Sequence, residues 1–248
     1  MNTHKIYSKG MHPIIAKEAI KSVNRRGYAV LEDVYLKHEI GEIRNLVKEY
    51  LKKHQEEEPY GIRELFPKIP KLREYIFNQR FYTIIKDALG EEYFLCKSIF
   101  FNKIPENNWY VSWHQDVPIN VASKIEMEGF NSWTHKKGVT SVRPPLEYLQ
   151  NIYTFRIHLD DTNEDNGVLK VIPKSHYKIL SPDDIEEIRK QKDAIACNVE
   201  AGGINILKPL TLHSSERSKS DKSRRVIHLE FSSMELPNGM EWAERMVV

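Results

Sequence analysis

A histidine and an aspartate stand two positions apart in the segment SWHQD, residues 112–116. If this segment is a β-strand, His114 and Asp116 point to one face and Trp113 and Gln115 to the other, because successive side chains alternate. A non-haem iron(II) centre is typically held by two histidines and one carboxylate, which leaves positions for a co-substrate and oxygen. The spacing therefore predicts two ligands of an iron(II) site, and the third must come from another part of the chain.

His213 is the candidate for the third ligand. It closes the segment INILKPLTLH, which we predict to be a single strand, and the basic segment SRRVIHLEF follows at a short distance. Alternation along that second strand gives a polar face that would line the site, formed by Arg224, Val226, His228 and Glu230. The opposite face has the pattern of a packed face and carries Arg225, Ile227, Leu229 and Phe231.

Arg224 has the chemistry that a dicarboxylate co-substrate needs. Such a molecule chelates iron at one end and requires a partner for its far carboxylate, and the planar guanidinium group binds carboxylates through two hydrogen bonds. Arg224 follows His213 by eleven residues. A register shift of one residue would give the same role to Arg225, and the sequence leaves that alternative open.

The elements that must position these side chains are mostly strands. After Gly90 the chain consists of short β-rich segments separated by clusters of Asn, Asp, Gly, Pro and Ser, such as DDTNEDNG and SSERSKSDKS. Several strands without intervening helices indicate a sandwich or jelly roll. We predict one domain over residues 1–248, with a mostly helical buttress in 1–90 and the β core in 91–232. Residues 117–150 form an insertion that we predict to be a loop, and long loops beside a site are often lids.

The first ninety residues have helical periodicity. Apolar residues recur at helical spacing before Gly27, along HEIGEIRNLVKEYLKKHQEEE, and along LREYIFNQRFYTIIKDALG, which ends at Gly90. A further helix is predicted at SPDDIEEIRKQ, where Ser181 is a suitable N-cap and Pro182 suits the first helical position. These helices would pack against the sheet.

Composition excludes several classes of protein. The chain has 37 Lys and Arg against 35 Asp and Glu, a net charge of +2, which is too balanced for a nucleic-acid-binding surface. Its two cysteines, Cys96 and Cys197, have no zinc-binding spacing and give no disulfide framework. We find no signal peptide and no membrane-spanning run of apolar residues. We therefore expect a cytoplasmic protein that acts on a small molecule.

Three segments in order carry a resemblance to a known family: NKIPENNWYVSWHQD, FRIHLDDTNEDNGVLKVIPKSH and LHSSERSKSDKSRR. With them, roughly residues 95 to 232 resemble the phytanoyl-CoA dioxygenase family of iron(II)- and 2-oxoglutarate-dependent oxygenases. The resemblance implies that the iron ligands are His114, Asp116 and His213. It also implies that Ser215 and Arg224 hold the distal carboxylate of 2-oxoglutarate, and that Arg156 lies beside the co-substrate.

The resemblance further implies a double-stranded β-helix, the jelly-roll core of cupin-like proteins, in a mainly β fold with N-terminal helices. The implied reaction consumes O2 and 2-oxoglutarate, releases succinate and CO2, and hydroxylates an unactivated C–H bond of a small-molecule substrate. One departure concerns a turn: the family usually has Pro-Gly-Ser-His where this chain has Pro173-Lys174-Ser175-His176. Substrate identity does not follow from the resemblance.

Several candidate residues have two interpretations. Thr154, Arg156 and His158 alternate on one strand face, which is either solvated or directed into the barrel; we predict that Thr154 and Arg156 contact the co-substrate. Lys103 either reaches the site or lies exposed at a strand end. Trp133 and His135 in the insertion either bind substrate, as we predict, or pack within the lid. Basic residues of the insertion would suit an anionic substrate, namely Lys136, Lys137 and Arg143.

Two other functions compete with the oxygenase. A cupin-type metal enzyme that does not use 2-oxoglutarate usually shows a His-x-His pair followed by Glu, whereas this chain has His-x-Asp. A non-catalytic protein of the same fold would bind a ligand or a partner without turnover. The ordered set of histidine, serine and arginine favours the oxygenase.

Overall fold

The computed structural model describes residues 5–7, 13–54, 61–104, 108–136, 138–221 and 223–248. Lys137 of the insertion therefore lies outside the described residues. The helices are α1 (Pro13–Arg26), α2 (Lys37–Lys53), α3 (Leu65–Lys68), α4 (Leu72–Ile76), α5 (Gln79–Thr83), α6 (Leu146–Asn151) and α7 (Pro182–Gln191), with a π-helical segment at Ile84–Leu89.

Fifteen strands are present in the described residues. They are β1 (Lys5–Tyr7), β2 (Tyr28–Glu32), β3 (Gly61–Arg63), β4 (Phe94–Lys103), β5 (Val111–His114), β6 (Ile119–Val121), β7 (Asn131–Lys136), β8 (Val139–Arg143), β9 (Tyr153–His158), β10 (Leu169–Val171), β11 (Ile195–Ala196), β12 (Ile204–Leu207), β13 (His213–Ser215), β14 (Arg224–Ser232) and β15 (Met246–Val247).

A large sheet has the strand order β1-β2-β12-β9-β14-β4-β15, with β3 also paired to β4. Its pairings are antiparallel except that of β1 with β2. One face is apolar and contributes residues such as Phe155, Ile227 and Phe231 to a core shared with the N-terminal helices. The apolar face continues across β9, β12 and β14 because residues that point to this side of the sheet stand opposite each other in the three strands.

A smaller antiparallel sheet has the order β11-β10-β13-β5. It packs against the inner face of the large sheet through an apolar cluster in which Leu169 and Val171 of β10 meet Tyr28, Val30 and Leu207. On its other side, α7 covers Trp113 and Leu212 through Ile185 and Ile188. Two facing sheets with helices behind the larger one confirm the predicted mainly β, jelly-roll fold.

The N-terminal helices follow the predicted periodicity up to residue 53. The stripe Ile40, Ile43 and Val47 of α2 is buried in the core. Helix α1 ends at Gly27, whose φ of +92° is a left-handed conformation, and a Cβ there would lie 2.6 Å from the Thr211 hydroxyl. In α7 the Ser181 hydroxyl accepts from the Asp184 amide, as a capping residue does.

The predictions for two segments were wrong. The segment predicted as one helix up to Gly90 is divided into α4, α5 and the π-helical segment, because the chain leaves the helical conformation around Phe77 and Asn78. The segment INILKPLTLH is two strands, because Pro209 has no backbone N–H and the chain turns there from the large sheet into the small one. His213 therefore begins β13 and does not end β12.

The insertion is also more ordered than predicted. Residues 117–150 contain the antiparallel three-stranded sheet β6-β8-β7 and helix α6. They share a second apolar core with the C-terminal segment, in which Ile119, Phe130 and Val142 meet Met240 and Trp242. The expected loop is thus a small packed subdomain against one end of the sheets.

Two further observations bear on the composition. Cys96 and Cys197 are both buried and free, so no disulfide forms between them. None of the helices in the described ranges has the length and the apolar character needed to cross a lipid bilayer.

Candidate metal centre and co-substrate pocket

The side chains of His114, Asp116 and His213 converge at one end of the small sheet. Their potential ligand atoms all lie within 4.8 Å of one another. Asp116 Oδ1 lies 3.5 Å from His114 Nε2, and Asp116 Oδ2 lies 3.5 Å from His213 Nε2. No other group of three or more His, Cys, Asp or Glu side chains within the described ranges could hold a metal ion.

The two histidine rings are held in the tautomer that a metal ligand requires. His114 Nδ1 lies 2.8 Å from the Ser112 carbonyl and His213 Nδ1 lies 2.7 Å from the Thr211 carbonyl. A carbonyl oxygen only accepts, so each Nδ1 carries the proton and donates it. Each Nε2 then presents a lone pair toward Asp116, and the donor set of two imidazoles and one carboxylate fits iron(II).

Gln115 fixes the chain between the two ligands, just beyond the end of β5 at His114. Its amide nitrogen donates to the carbonyls of Leu210 at 2.6 Å and Lys178 at 3.0 Å, and its Oε1 accepts from the Leu180 amide at 2.8 Å. The Asp116 amide donates to the Pro209 carbonyl at 2.9 Å. These bonds tie the His114–Asp116 segment to the loop that leads into His213.

The electrostatics of the cluster favour metal binding. Burial acts to raise the pKa of Asp116, but the neighbouring histidines, His213 first, outweigh it and hold the pKa of the carboxyl far below its usual range. Burial lowers the pKa of His213 to about 4. Burial also acts to lower the pKa of His114, yet Asp116 and the Ser112 carbonyl outweigh it and raise that pKa. At neutral pH the carboxylate and the His213 ring are therefore in their ligand forms.

Arg224 lies on the inner face of β14, as strand alternation predicted. It is 3% exposed, and its Nε and Nη1 have no hydrogen-bond partner among the described residues. Burial, with a smaller effect of nearby Arg156, lowers its pKa to about 9. A buried guanidinium with unused donors is costly unless an anion completes its hydrogen bonds.

The strand β9 contributes to the same interior. Thr154, Arg156 and His158 share the inner face, since Arg156 stands opposite His228 and Thr154 opposite Glu230 in β14. Thr154 and His158 are buried, so the alternative of a solvated face is wrong. The Thr154 hydroxyl and the Arg156 Nε have no partner in the described part of the chain. Both remain available to a bound molecule.

Ser215 and Lys103 lie beside Arg224. Lys103 is directly opposite Arg224 in the pairing of β4 with β14, and its ammonium lies 3.2 Å from Ser215 Oγ. Ser215 Oγ donates to the Gly167 carbonyl at 2.8 Å. Lys103 is 1% exposed, and burial, with the charges of Arg224 and Arg156, lowers its pKa to about 7. The interpretation of Lys103 as an exposed strand end is thus wrong.

Arg225 is not available for a co-substrate. It lies on the opposite face of β14, where its Nε and Nη2 donate to the carboxylate of Asp160 at 2.8 and 2.7 Å. Its backbone amide also donates to Asp160, at 2.9 Å. The register that would have exchanged Arg224 for Arg225 does not occur.

The turn at Pro173–His176 keeps a left-handed residue without a glycine. Lys174 has a φ of +60°, the region that glycine enters without a Cβ penalty. The buried Ser175 hydroxyl accepts from the Leu212 amide at 2.8 Å, which secures the residue before His213. His176 Nε2 lies 3.1 Å from the Asn24 carbonyl, so His176 is a hydrogen-bonding residue of the turn.

Trp133 and His135 lie on β7 of the inserted sheet. Trp133 is partly buried against the second apolar core, and Lys124 Nζ stands 5.8 Å from its ring centroid. His135 is exposed, and its Nδ1 lies 3.0 Å from the Thr140 hydroxyl. The structure does not bring either residue together with the metal cluster, so their contact with substrate stays a prediction.

Sequence reasoning missed one buried group of polar residues. His228 and Glu230 were placed on the inner face, but their hydrogen bond and the salt bridge of Glu230 with Lys97 of β4 were not foreseen. Alternation along YFLCKSIFFNK would have placed Lys97, Ile99, Phe101 and Lys103 on one face. That signal was present in the sequence.

A family model for phytanoyl-CoA dioxygenase matches residues 23–226. The chain belongs to the phytanoyl-CoA dioxygenase family. The predicted family and enzyme class are therefore confirmed: the chain is a 2-oxoglutarate-dependent oxygenase, and its donor set suits the predicted iron(II). A search of curated proteins by sequence finds no match.

Solved structures of similar fold include several oxygenases. SnoK, a non-haem α-ketoglutarate-dependent carbocyclase from nogalamycin biosynthesis, has a TM-score of 0.66 and 18% identity, covering 87% of this chain and 83% of its own. EctD from S. alaskensis with 2-oxoglutarate and 5-hydroxyectoine has a TM-score of 0.67 and 18% identity over 93% and 79%. HygX from Streptomyces hygroscopicus with nickel and 2-oxoglutarate has a TM-score of 0.63 and 11% identity over 87% and 86%. At these identities the likeness shows the fold that this phytanoyl-CoA dioxygenase family member shares with them.

Proposed function

We propose that this protein is an iron(II)- and 2-oxoglutarate-dependent hydroxylase of a small-molecule substrate. One observation carries the proposal. The bare Nε2 atoms of His114 and His213 converge with Asp116, while the buried donors of Arg224 have no partner in the described residues. A metal ion binds the two Nε2 atoms and the Asp116 carboxylate, and the far carboxylate of 2-oxoglutarate accepts hydrogen bonds from Arg224.

The residues have distinct roles in this proposal. His114, Asp116 and His213 hold iron(II), and the carbonyls of Ser112 and Thr211 keep the two rings in the ligating tautomer. Bound iron(II) supplies the oxygen-activating chemistry that couples decarboxylation of 2-oxoglutarate, to succinate and CO2, with hydroxylation of an unactivated C–H bond.

The pocket wall orients the co-substrate. Arg224 offers two buried N–H donors to the distal carboxylate. The Ser215 hydroxyl beside it donates to the Gly167 carbonyl at 2.8 Å, and in this proposal it turns to donate to the carboxylate when 2-oxoglutarate binds. Thr154 and Arg156 contribute their unpaired hydroxyl and Nε from β9. Because Arg224 is held inside the two sheets, water does not compete strongly for its donors.

The buried Arg224 also distinguishes this function from its rivals. A cupin-type metalloprotein without a dicarboxylate co-substrate has no use for an unpaired guanidinium inside the fold. A non-catalytic protein has no need to keep two Nε2 lone pairs directed at one carboxylate. Both rivals would leave these buried groups without a function, at a cost in stability.

The test is an anaerobic visible absorption titration. The metal-free protein receives iron(II), then 2-oxoglutarate, alongside the Arg224→Ala and His213→Ala variants. We expect a weak charge-transfer band that needs both additions, shifts to higher 2-oxoglutarate concentration in Arg224→Ala, and is absent in His213→Ala. Iron binding without any band would contradict the use of 2-oxoglutarate and favour the cupin-type reading.

The substrate is proposed only by class. An anionic molecule remains a prediction based on the exposed Lys136 and Arg143 of the inserted sheet, and unchanged substrate preference after neutralising both residues would contradict it. We also propose a cytoplasmic location, which the two free, buried cysteines support.

A further inference from the structure

Three polar side chains form a buried chain of contacts beside the metal centre. His228 Nε2 lies 2.9 Å from Glu230 Oε1, and Lys97 Nζ lies 2.9 Å from Glu230 Oε2. His228 is 5% exposed, Glu230 3% and Lys97 8%. Burial acts to raise the pKa of Glu230, but Lys97 and His228 outweigh it and lower that pKa. Glu230 is therefore ionised and acts only as an acceptor.

An ionised Glu230 fixes the proton of His228. Since a carboxylate has no hydrogen to give, His228 Nε2 must carry the proton of this hydrogen bond. Lys97 already neutralises the carboxylate, and Arg156 stands opposite His228 on β9. The other ring nitrogen, Nδ1, is buried without a hydrogen-bond partner among the described residues, and it is an acceptor whenever Nε2 carries the only ring proton.

The bare nitrogen belongs to the interior that holds the candidate metal centre. His228 is on the inner face of β14, the face that also carries Arg224, and it stands opposite Arg156 of β9. Phe101 holds the ring from one side, edge to face, with ring centroids 5.9 Å apart. The ring is thus kept in place by Glu230 and Phe101.

A cavity of about 210 Å³ reaches this group only at Lys97, and His228 and Glu230 are not among its lining residues. It is bounded by Lys97 and Ile99, which stand directly opposite Glu230 and His228 in the pairing of β4 with β14. Asn120 and Thr140 of the inserted sheet line it as well. The cavity thus lies between the inserted sheet and β4, the strand that pairs with the strand of His228.

We propose that His228 is a specificity-determining residue whose Nδ1 accepts a hydrogen bond from a hydroxyl or amine group of the substrate. The inference rests on the proposed function and adds the substrate class to it, namely a molecule with an O–H or N–H donor near the oxidised carbon. The co-substrate does not serve this nitrogen, because ionised 2-oxoglutarate has only acceptor oxygens. Glu230 and Lys97 are positioning residues that hold the tautomer.

The tautomer is tested by nitrogen NMR of the protein labelled with ¹⁵N-histidine and loaded with zinc(II) and 2-oxoglutarate. We expect His228 to show a protonated Nε2 and a bare Nδ1, and we expect Glu230→Gln to shift the ring toward a mixture of tautomers. A protonated Nδ1 in the unaltered protein would overturn the proposal. If 2-oxoglutarate does not bind, the proposed function fails, while the tautomer is still readable in the zinc-loaded protein.

Acceptor use is tested with two probes of the same skeleton, ethylene glycol and its dimethyl ether. Ethylene glycol is a small molecule with hydroxyl donors, whereas the diether has none. We expect ethylene glycol alone to move the Nδ1 resonance of His228. Equal shifts with both probes, or none with ethylene glycol, would contradict the assignment.

The matched variants are His228→Gln and His228→Phe. Glutamine can keep a donor to Glu230 but has no ring nitrogen at the Nδ1 position, so ethylene glycol should bind about tenfold more weakly, as expected for one lost hydrogen bond. Binding of 2-oxoglutarate should stay unchanged in His228→Gln, which also shows that the variant is folded. Unweakened binding of ethylene glycol in both variants would overturn the proposal.

Discussion

His114 and His213 stand directly opposite each other on the antiparallel strands β5 and β13, with ring centroids 4.2 Å apart. The metal centre is therefore built on strand register, which a sheet holds far more rigidly than a loop. A β-bulge follows His213, between His213 and Ser215. The bulge separates the ligand from the serine that faces the co-substrate end of the pocket.

Metal binding should stabilise the fold. Zinc(II), as an inert substitute for iron(II), binds the native cluster and not the unfolded chain, so a concentration of 100 times the Kd adds about 2.7 kcal/mol to the free energy of unfolding. Urea unfolding with and without zinc measures this. His213→Ala should remove most of the gain, and an undiminished gain in that variant would show that zinc binds elsewhere.

Acid should destabilise the metal-free protein through its buried histidines. Burial lowers the pKa of His213 to about 4 and lowers that of His158 and His176 as well. Between about pH 6.5 and pH 4 the unfolded chain binds protons that the native rings do not, so stability falls as the pH falls. For His213 the loss is at most about 3 kcal/mol.

His114 acts in the opposite direction, because its raised pKa adds stability at low pH that is lost as the pH rises through that pKa. Urea unfolding at several pH values measures the sum of these effects. His213→Gln should flatten the profile between pH 6.5 and pH 4, and an unchanged slope would contradict the assignment.

Gln115 should act on metal affinity although it does not bind the metal. Replacing it with Met keeps the volume but leaves the carbonyls of Leu210 and Lys178 and the Leu180 amide without their partner. We expect metal affinity to fall 10- to 100-fold, as for other residues that orient a ligand. Zinc titration by calorimetry measures the change, and an affinity equal to that of the unaltered protein would contradict it.

Arg224 and Arg225 form a matched pair for co-substrate binding. Arg224→Ala should raise the Kd for 2-oxoglutarate about 100-fold, since it removes charge-assisted hydrogen bonds of about 2–3 kcal/mol. Arg225→Ala removes the contact with Asp160 on the outer face, so it should lower stability by about 1 kcal/mol and leave that Kd unchanged. Comparable Kd changes in both variants would contradict the assigned faces.

Gly167 should be intolerant of a side chain. It has a φ of +77°, and a Cβ there would lie 2.7 Å from the Glu216 carbonyl oxygen and 3.1 Å from Lys103 Nζ. Gly167→Ala should therefore displace the segment that holds Ser215 and weaken 2-oxoglutarate binding more than metal binding. Titrating one preparation with metal and with 2-oxoglutarate measures both affinities, and therefore shows which of the two falls more. Gly239→Ala is the control, because its φ is +79° but nothing lies within 4 Å of the added Cβ.

The sequence determined what depends on neighbours in the chain. Two-residue alternation placed Arg224 inside and Arg225 outside, because the period of a strand is local. It also predicted His114 and Asp116 on one face, and the two side chains do converge, although β5 ends at His114 and Asp116 lies beyond the strand. The Ser181 cap and the apolar stripe of α2 were also predicted, because each depends only on residues within one helix. Ordered motifs then indicated the family and its cofactors.

The tertiary structure decided what depends on pairing between distant segments. Only strand pairing sets His213 against His114, turns the chain between sheets at Pro209, and folds the insertion into a sheet. The Ser112 and Thr211 carbonyls are local partners, two residues before the histidine rings that they hold, but only packing encloses Lys97 with Glu230 and His228. These pairings are stabilised by the burial of side chains from distant parts of the chain. The local sequence pattern does not indicate which distant segments will pair.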